Sequence, residues 1–366
     1  SPEVKQSSPV VNIWVAPAGT LVSNDEPLAK ASTVSHPEID RPAPSFAGRT
    51  VFITGANGFI GRSLATRLRE LGATVTGVDL VADPANGVVA GSTADPAPWS
   101  AALTGVDAVV HLAALVSTVI PIETAWQVNV LGTKNVIDAA VEAGVRRFVH
   151  LSSIAAYGWD FPDRVTEDYP TRVTGGVSTY VDTKTNSEQV VFANANRGTE
   201  MVVVRPGDVY GPGSVWVREP IDMAKAKQLI LPEGGRGVFD VIYIDNFVDG
   251  IVAVLSTEGI AGEVFNLSEE LGVSCKDYFG EIASWVGASP RMIPILIGLP
   301  AATVIGRVQR LLGQKSEIGP GMLHMLNRRH LVSNAKARAV LGFKPVVSYA
   351  DGMARSKQWA RREGLI

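Results

Sequence analysis

Thr50-Val51-Phe52-Ile53-Thr54-Gly55-Ala56-Asn57-Gly58-Phe59-Ile60-Gly61 is the stretch on which the fold turns. Thr50–Thr54 is a short apolar run of the kind buried on both faces of a parallel sheet. Beyond the turn, Ile60, Leu64, Leu68 and Leu71 recur at helical spacing, which predicts a helix over Phe59–Leu71. Gly55-x-x-Gly58-x-x-Gly61 thus joins a strand to a helix, the context in which a glycine triplet carries meaning. Glycines there allow a tight turn and let backbone N–H groups approach a pyrophosphate at the helix N-terminus.

Outward from this unit the pattern repeats. Strands are predicted at Thr74–Asp79, Ala108–Leu112, Phe148–Ser152 and Met201–Arg205, with helical segments between them, among them Val130–Ala143 closed by Gly144. Apolar strands alternating with helices imply an α/β fold, a Rossmann-type doubly wound parallel sheet covered on both faces. After Arg205 the rhythm loosens. Pro206 to about Gly237 reads as loop-rich, Val241–Ile244 and Val264–Leu267 as strands, Lys276–Val286 as a helix, and Met292–Leu312 as apolar and helix-leaning. These pieces are expected to form a smaller C-terminal α/β substrate lobe over the carboxyl ends of the strands. The expected division is a Pro/Ser-rich extension over 1–46, a Rossmann domain over 47–205 with later strands around 238–268 contributing, and a substrate lobe over most of 206–366. Within the extension, Val10–Val15 is an apolar, β-prone patch fit to strap onto the main body.

The 366 residues are 46% hydrophobic and 19% charged with net charge -3, so no basic field recruits nucleic acid. Arg146-Arg147 and Arg328-Arg329-His330 read as solvated basic faces. The single cysteine, Cys275, forbids an intramolecular disulfide, and a cytoplasmic setting is expected. The chain starts on Ser1 rather than Met and shows no secretion-signal pattern. The longest charge-free apolar stretch, Met292–Gly306, is interrupted by Pro294 and Pro300 and is too short to span a bilayer. No metal site is expected.

Asp79 closes the second strand about twenty residues beyond the glycine loop, where a ribose-binding carboxylate belongs. It would accept hydrogen bonds from the 2′ and 3′ hydroxyls and repel a 2′-phosphate, and apolar Leu80-Val81-Ala82 follows it, so NAD is favoured over NADP. Tyr180 and Lys184 stand four residues apart, on one face of a helix. A phenol with a pKa near 10 is a poor base at neutral pH, and a neighbouring ammonium is expected to lower that value. Ser153, in Leu151-Ser152-Ser153-Ile154-Ala155-Ala156-Tyr157-Gly158, lies at the carboxyl end of a predicted strand.

With these pieces go His111-Leu112-Ala113-Ala114, Asn129-Val130-Leu131-Gly132-Thr133 and Arg205-Pro206-Gly207-Asp208-Val209-Tyr210-Gly211-Pro212-Gly213. In this order they resemble an extended short-chain dehydrogenase/reductase, of the NAD-dependent epimerase/dehydratase superfamily, over roughly residues 48 to 355. The resemblance implies an enzyme in which Ser153 holds the reacting oxygen, Tyr180 transfers its proton and Lys184 tunes Tyr180. Ser153 is preferred to Ser152 for its spacing from Tyr157. The cofactor site implied is Gly55, Asn57, Gly58, Phe59, Ile60, Gly61, Asp79, Leu80, Ser92, Leu112, Ala113, Ala114, Asn129, Tyr180, Lys184 and Pro206. Ser92 stands where the family usually carries an adenine-contacting Asp. His111 is expected to be structural, and Asn129 to orient its helix. A homodimer through the Tyr180 helix and the one before it is also implied.

Within the family, two substrate residues of nucleotide-sugar enzymes are replaced. Asp208 stands where Asn is usual, its charge expected to oppose a diphosphate, and Phe239 stands where Arg is frequent. Thr183-Lys184 and the ending Ala335–Pro345 resemble the 3β-hydroxysteroid dehydrogenase-like branch. That branch implies a secondary alcohol or ketone on an apolar, sterol-like or lipid-like small molecule. The alternatives are a nucleotide-sugar epimerase/dehydratase, another ketone or aldehyde reductase, and an NAD-sensing protein without turnover, which would be expected to lose Tyr180 or Lys184. Val304, Val308, Leu311 and Leu312 could form one helix face, packing the small lobe, lining an apolar pocket, or making peripheral membrane contact.

Overall fold

The structure, a computed structural model, describes residues 44–313 and 316–366, so most of the N-terminal extension, with Val10–Val15, lies outside the described residues. β1 (Thr50–Thr54) runs through the glycine turn into α1 (Phe59–Glu70), followed by β2 (Thr74–Asp79), β3 (Val88–Ala90) and β4 (Ala108–His111). Next come α2 (Ile122–Trp126), a π-helical turn over Gln127–Leu131 and α3 (Gly132–Glu142), one continuous helical run. β5 (Arg147–Leu151), α4 (Thr179–Ala193) and β6 (Glu200–Pro206) complete the first half.

Seven strands form one parallel sheet, with β3, β2 and β1 on one side of the first crossover and β4, β5, β6 and the later strand Val264–Leu267 on the other. The chain reverses direction across the sheet between β1 and β4, which opens a crevice at the carboxyl ends of those strands. Strand alternation divides the core. Val51 and Ile53 pack with Leu64 and Leu68 of α1, whereas Phe52 points to the other face with Val136 and Ile137 of α3. Both faces are therefore dry, as the apolar runs demand.

The basic pair Arg146-Arg147 is not a solvated face. Arg147 is fully buried, its guanidinium held by Glu200 at 2.7 Å and by the carbonyls of Val254 and Thr257. A buried cation persists only when so paired.

The region after Pro206 is more regular than its loop-like composition predicts. It holds β7 (Asp208–Tyr210), α5 (Val215–Lys225) and β8 (Ile230–Pro232), then β9 (Val241–Tyr243), α6 (Ile244–Ser256) and β10 (Val264–Leu267). Pro220 sits inside α5, where it removes the hydrogen bond to the carbonyl of Trp216. That carbonyl accepts the hydroxyl of Tyr278 instead, at 3.1 Å, so a distant tyrosine makes the proline tolerable. β10 returns to the main sheet beside β6, while β7 pairs with β9.

The remaining elements are α7 (Cys275–Ser284), β11 (Arg291–Ile293), α8 (Ile295–Leu311), α9 (Pro320–Leu326) and α10 (Tyr349–Arg362). β11 pairs with β8. Val304, Val308, Leu311 and Leu312 do not pack the lobe: all four are exposed, and α8 rests on its small residues Gly298, Ala302 and Gly306 instead.

Candidate active site

Gly55 adopts φ +72°, a conformation other residues pay for, and its amide donates to the carbonyl of Val78 at 2.9 Å. A Cβ on Gly61 would lie 2.3 Å from the carbonyl oxygen of Gly55, so only glycine lets α1 pack this close to the turn. No side chain caps α1 at Gly58, which leaves first-turn amides for an outside acceptor. Asp79 stands beside them at the end of β2. Its two oxygens accept from the amides of Asn57 (2.9 Å) and Leu80 (2.7 Å), which fixes the carboxylate at the rim with lone pairs to spare.

The other predicted cofactor residues gather on the same edge. The backbone of Ala113 lies against Gly55, and its amide donates to Thr54 Oγ1 at 3.2 Å, with Leu112 before it and Ala114 after. Ser92 follows β3, its hydroxyl turned to the amide of Ala94. Phe59 and Ile60 open α1, Pro206 ends β6, and Leu80 is exposed beside Asp79. An uncapped helix start, a glycine cradle and a rim carboxylate fit a dinucleotide.

At the crevice, β5 delivers Ser152 and Ser153 and α4 delivers Tyr180 and Lys184. The two serines point to different partners. Ser153 Oγ accepts from the amide of Ala155 at 3.1 Å and lies close enough to the Tyr180 phenol to favour its ionised form. Ser152 donates instead to Glu188, behind the site. Lys184 donates to the carbonyl of Leu151 at 2.6 Å, with Nζ 5.9 Å from the centre of the Tyr180 ring.

The electrostatics differ from the sequence-based expectation. Burial pushes the Tyr180 phenol up to about 12, with the Asp208 charge acting in the same direction and the Ser153 hydroxyl offsetting part of it. Lys184 does not depress it here. Burial instead lowers Lys184 itself, to about 8, against the pull of Glu188. His111 is structural as expected: its ring nitrogens engage Thr54 Oγ1 at 2.7 Å and Thr133 Oγ1 at 3.0 Å, and burial holds it near 3, hence neutral. Asn129, in the π-helical turn, ties the backbone of Leu115 to Thr183 of α4.

Behind the site lies a cluster that the motifs did not single out. Glu188, fully buried, accepts from Arg205 Nε at 2.9 Å and Nη2 at 2.7 Å, and Arg205 also donates to Tyr157 Oη at 2.7 Å. Two signals were available. Arg205 ends an otherwise apolar strand, and Glu188 follows Lys184 at helical spacing.

Two predicted substrate residues read differently in three dimensions. Asp208 is neutralised by Arg328, at 2.6 Å, and also accepts from the amide of Asp240 at 2.9 Å. Its charge therefore does not face a ligand unopposed, and Arg328 is buried rather than solvated. Phe239 is buried among Trp216, Tyr278 and Phe279, with ring centroids 4.3 to 5.2 Å away, so it belongs to the hydrophobic core.

A cavity of about 750 Å³ opens between α5, β8, α8 and α9. Its walls include Met223, Leu231, Phe279, Ile305, Met322 and Leu323, with Glu219, Asp222 and Glu317 as the charged residues and no lysine, arginine or histidine among the described residues. Glu317 accepts from the amide of Thr118 at 3.0 Å, and Gly321 packs against Thr118, Val177 and Ser178, just before Tyr180. The cavity thus adjoins the N-terminus of α4.

Residues 51–268 match the NAD dependent epimerase/dehydratase family. A 4-hydroxy-2-methyl-3-oxo-4-farnesyl-3,4-dihydroquinoline-1-oxide ketoreductase of Stigmatella aurantiaca is 27% identical, over 84% of this chain and 95% of the relative. The 3beta-hydroxysteroid-dehydrogenase/decarboxylase isoform 2 of Arabidopsis thaliana is 26% identical over 86% of this chain, which spans 62% of that relative's length. The solved structure of MoeE5 in complex with UDP-glucuronic acid and NAD superposes with a TM-score of 0.69 at 25% identity, over 86% of this chain and 99% of the other.

Proposed function

The chain belongs to the NAD dependent epimerase/dehydratase family, and from that premise we propose that it interconverts a secondary alcohol and a ketone on an apolar, sterol-like or lipid-like molecule. The cavity carries this reading. Its wall is mostly apolar, and among the described residues the charged ones are all carboxylates, with no cation for a sugar-nucleotide diphosphate. Arg328, a buried cation of the same region, is already paired with Asp208.

In this proposal the glycine turn, Asp79 and the Leu112–Ala114 backbone hold NAD, with Lys184 toward its nicotinamide end. NAD supplies the hydride acceptor, and its reduced form the hydride donor. Ser153 Oγ and Tyr180 Oη converge on the substrate oxygen. A phenol near 12 is neutral at rest, so Tyr180 stands ready to give a proton to a ketone oxygen. Accepting one from an alcohol requires the Lys184 ammonium to turn from the Leu151 carbonyl toward the phenol. A buried, unpaired Cys275 suits a reducing cytoplasm. A homodimer through α3 and α4 completes the proposal. It would bury Leu131 and Phe192, and sedimentation tests it.

The test is a nicotinamide-absorbance screen of sterol-like and long-chain secondary alcohols and ketones beside UDP- and dTDP-sugars. Turnover is expected with the first set alone. Robust conversion of a nucleotide sugar overturns the substrate reading.

A further inference from the structure

Helix α8 has two apolar faces. One, through Ala301, Ala302 and Ile305, walls the cavity. The other is bare: Leu296 and Leu311 are each 86% exposed, Val304 61% and Val308 48%. Their spacing places them along one stripe. Ile305 is itself exposed and lines the cavity, so the stripe and the cavity meet along the helix.

Along the segment that carries the stripe the charges have one sign. From Arg291 to Leu312 there are three arginines and no acidic residue, in a chain of net charge -3. Arg310 is turned to the carbonyls of Ser316 and Ile318, while Arg307 and Arg291 are exposed. With 17 residues α8 falls short of a span, and no helix among the described residues is long and apolar enough to cross a membrane. A second copy packed stripe to stripe would bring two sets of arginines together, with no acid on either helix to receive them. An anionic lipid surface satisfies both the apolar stripe and its basic edges.

We infer that α8 docks this protein on an anionic lipid bilayer, stripe against the acyl boundary, with the cavity mouth at that surface. The docking is read from α8 alone; its use, delivery of a substrate from the bilayer, rests on the proposed apolar substrate.

Flotation with phosphatidylcholine vesicles, with and without phosphatidylglycerol, at low ionic strength tests the inference. Wild type is expected to float with the anionic vesicles. Leu296→Gln/Val304→Gln/Leu311→Gln is expected to lower the bound fraction by about tenfold or more, while NAD-linked turnover of a water-soluble secondary alcohol stays unchanged. Absence of wild-type flotation, or flotation that survives the substitutions, overturns the docking. So does a dimer that these substitutions split, which would assign the stripe to a second copy. Leu296→Cys carrying an environment-sensitive dye gives a second readout, because Cys275 is buried. A blue shift on anionic vesicles is expected, and unchanged emission refutes docking. Flotation without turnover of any alcohol would sink the substrate reading and leave the docking intact.

Discussion

Replacing Glu188 by Gln tests whether the cluster beneath the candidate site is an ion pair that the fold depends on. Glu188 is fully buried and accepts from two nitrogens of Arg205 and from Ser152, and Arg205 is itself 3% exposed. Glutamine keeps the shape and one acceptor oxygen but removes the charge, leaving the guanidinium with neutral acceptors only, among them Tyr157 Oη at 2.7 Å and the Glu167 carbonyl at 3.3 Å. Breaking one side of a buried pair costs about 3–5 kcal/mol. Stability of a whole domain is on the order of 5–15 kcal/mol, so this is a large share of it. Unfolding entropy scales with length, so the melting temperature should fall by roughly 5 °C or more. Denaturant unfolding of wild type, Glu188→Gln, Arg205→Met and the double variant is the assay. The double variant should recover most of the loss, because neither charge is then orphaned. A single-variant cost below about 1 kcal/mol, or a double variant no better than the single, would refute the reasoning.

Tyr180→Phe should cut turnover by about 10²- to 10⁴-fold, the worth of a positioned acid–base group, while NAD affinity, measured by fluorescence titration, barely moves. Near-native turnover would remove Tyr180 from the mechanism. Asp79→Ala should weaken NAD more than NADP, since the first loses hydroxyl contacts and the second a repulsion; a wild-type preference for NADP would contradict this. Stability should also fall with acid. His111 is held near 3 against a usual 6.5, so below 6.5 the unfolded chain binds a proton that the folded chain refuses. That contribution is complete above about 6.5 and is lost as pH falls toward 3, at up to about 1.4 kcal/mol per pH unit. His111→Gln should flatten the slope in chemical-denaturation measurements across that range.

The amino-acid sequence by itself determined the strand–turn–helix at Thr50–Gly61, the parallel strands after it, and the candidate residues Ser153, Tyr180 and Lys184. Those signals are local. Dry strands need unbroken apolar runs, a tight turn against a helix admits only glycine, and residues four apart share a helix face. Only the tertiary structure gave Ser152 its partner, Glu188 behind the site, because the two adjacent serines differ in what packs behind them. Contacts remote in sequence likewise made α5 a helix despite Pro220, through Tyr278, and paired the charge of Asp208 with Arg328. They turned Phe239 into the core and raised the Tyr180 phenol rather than lowering it, since burial depends on everything that surrounds a group. On α8, periodicity showed an apolar face but not whether anything covers it. Coverage is a property of neighbours, and here the neighbours take the small residues and leave the large ones bare.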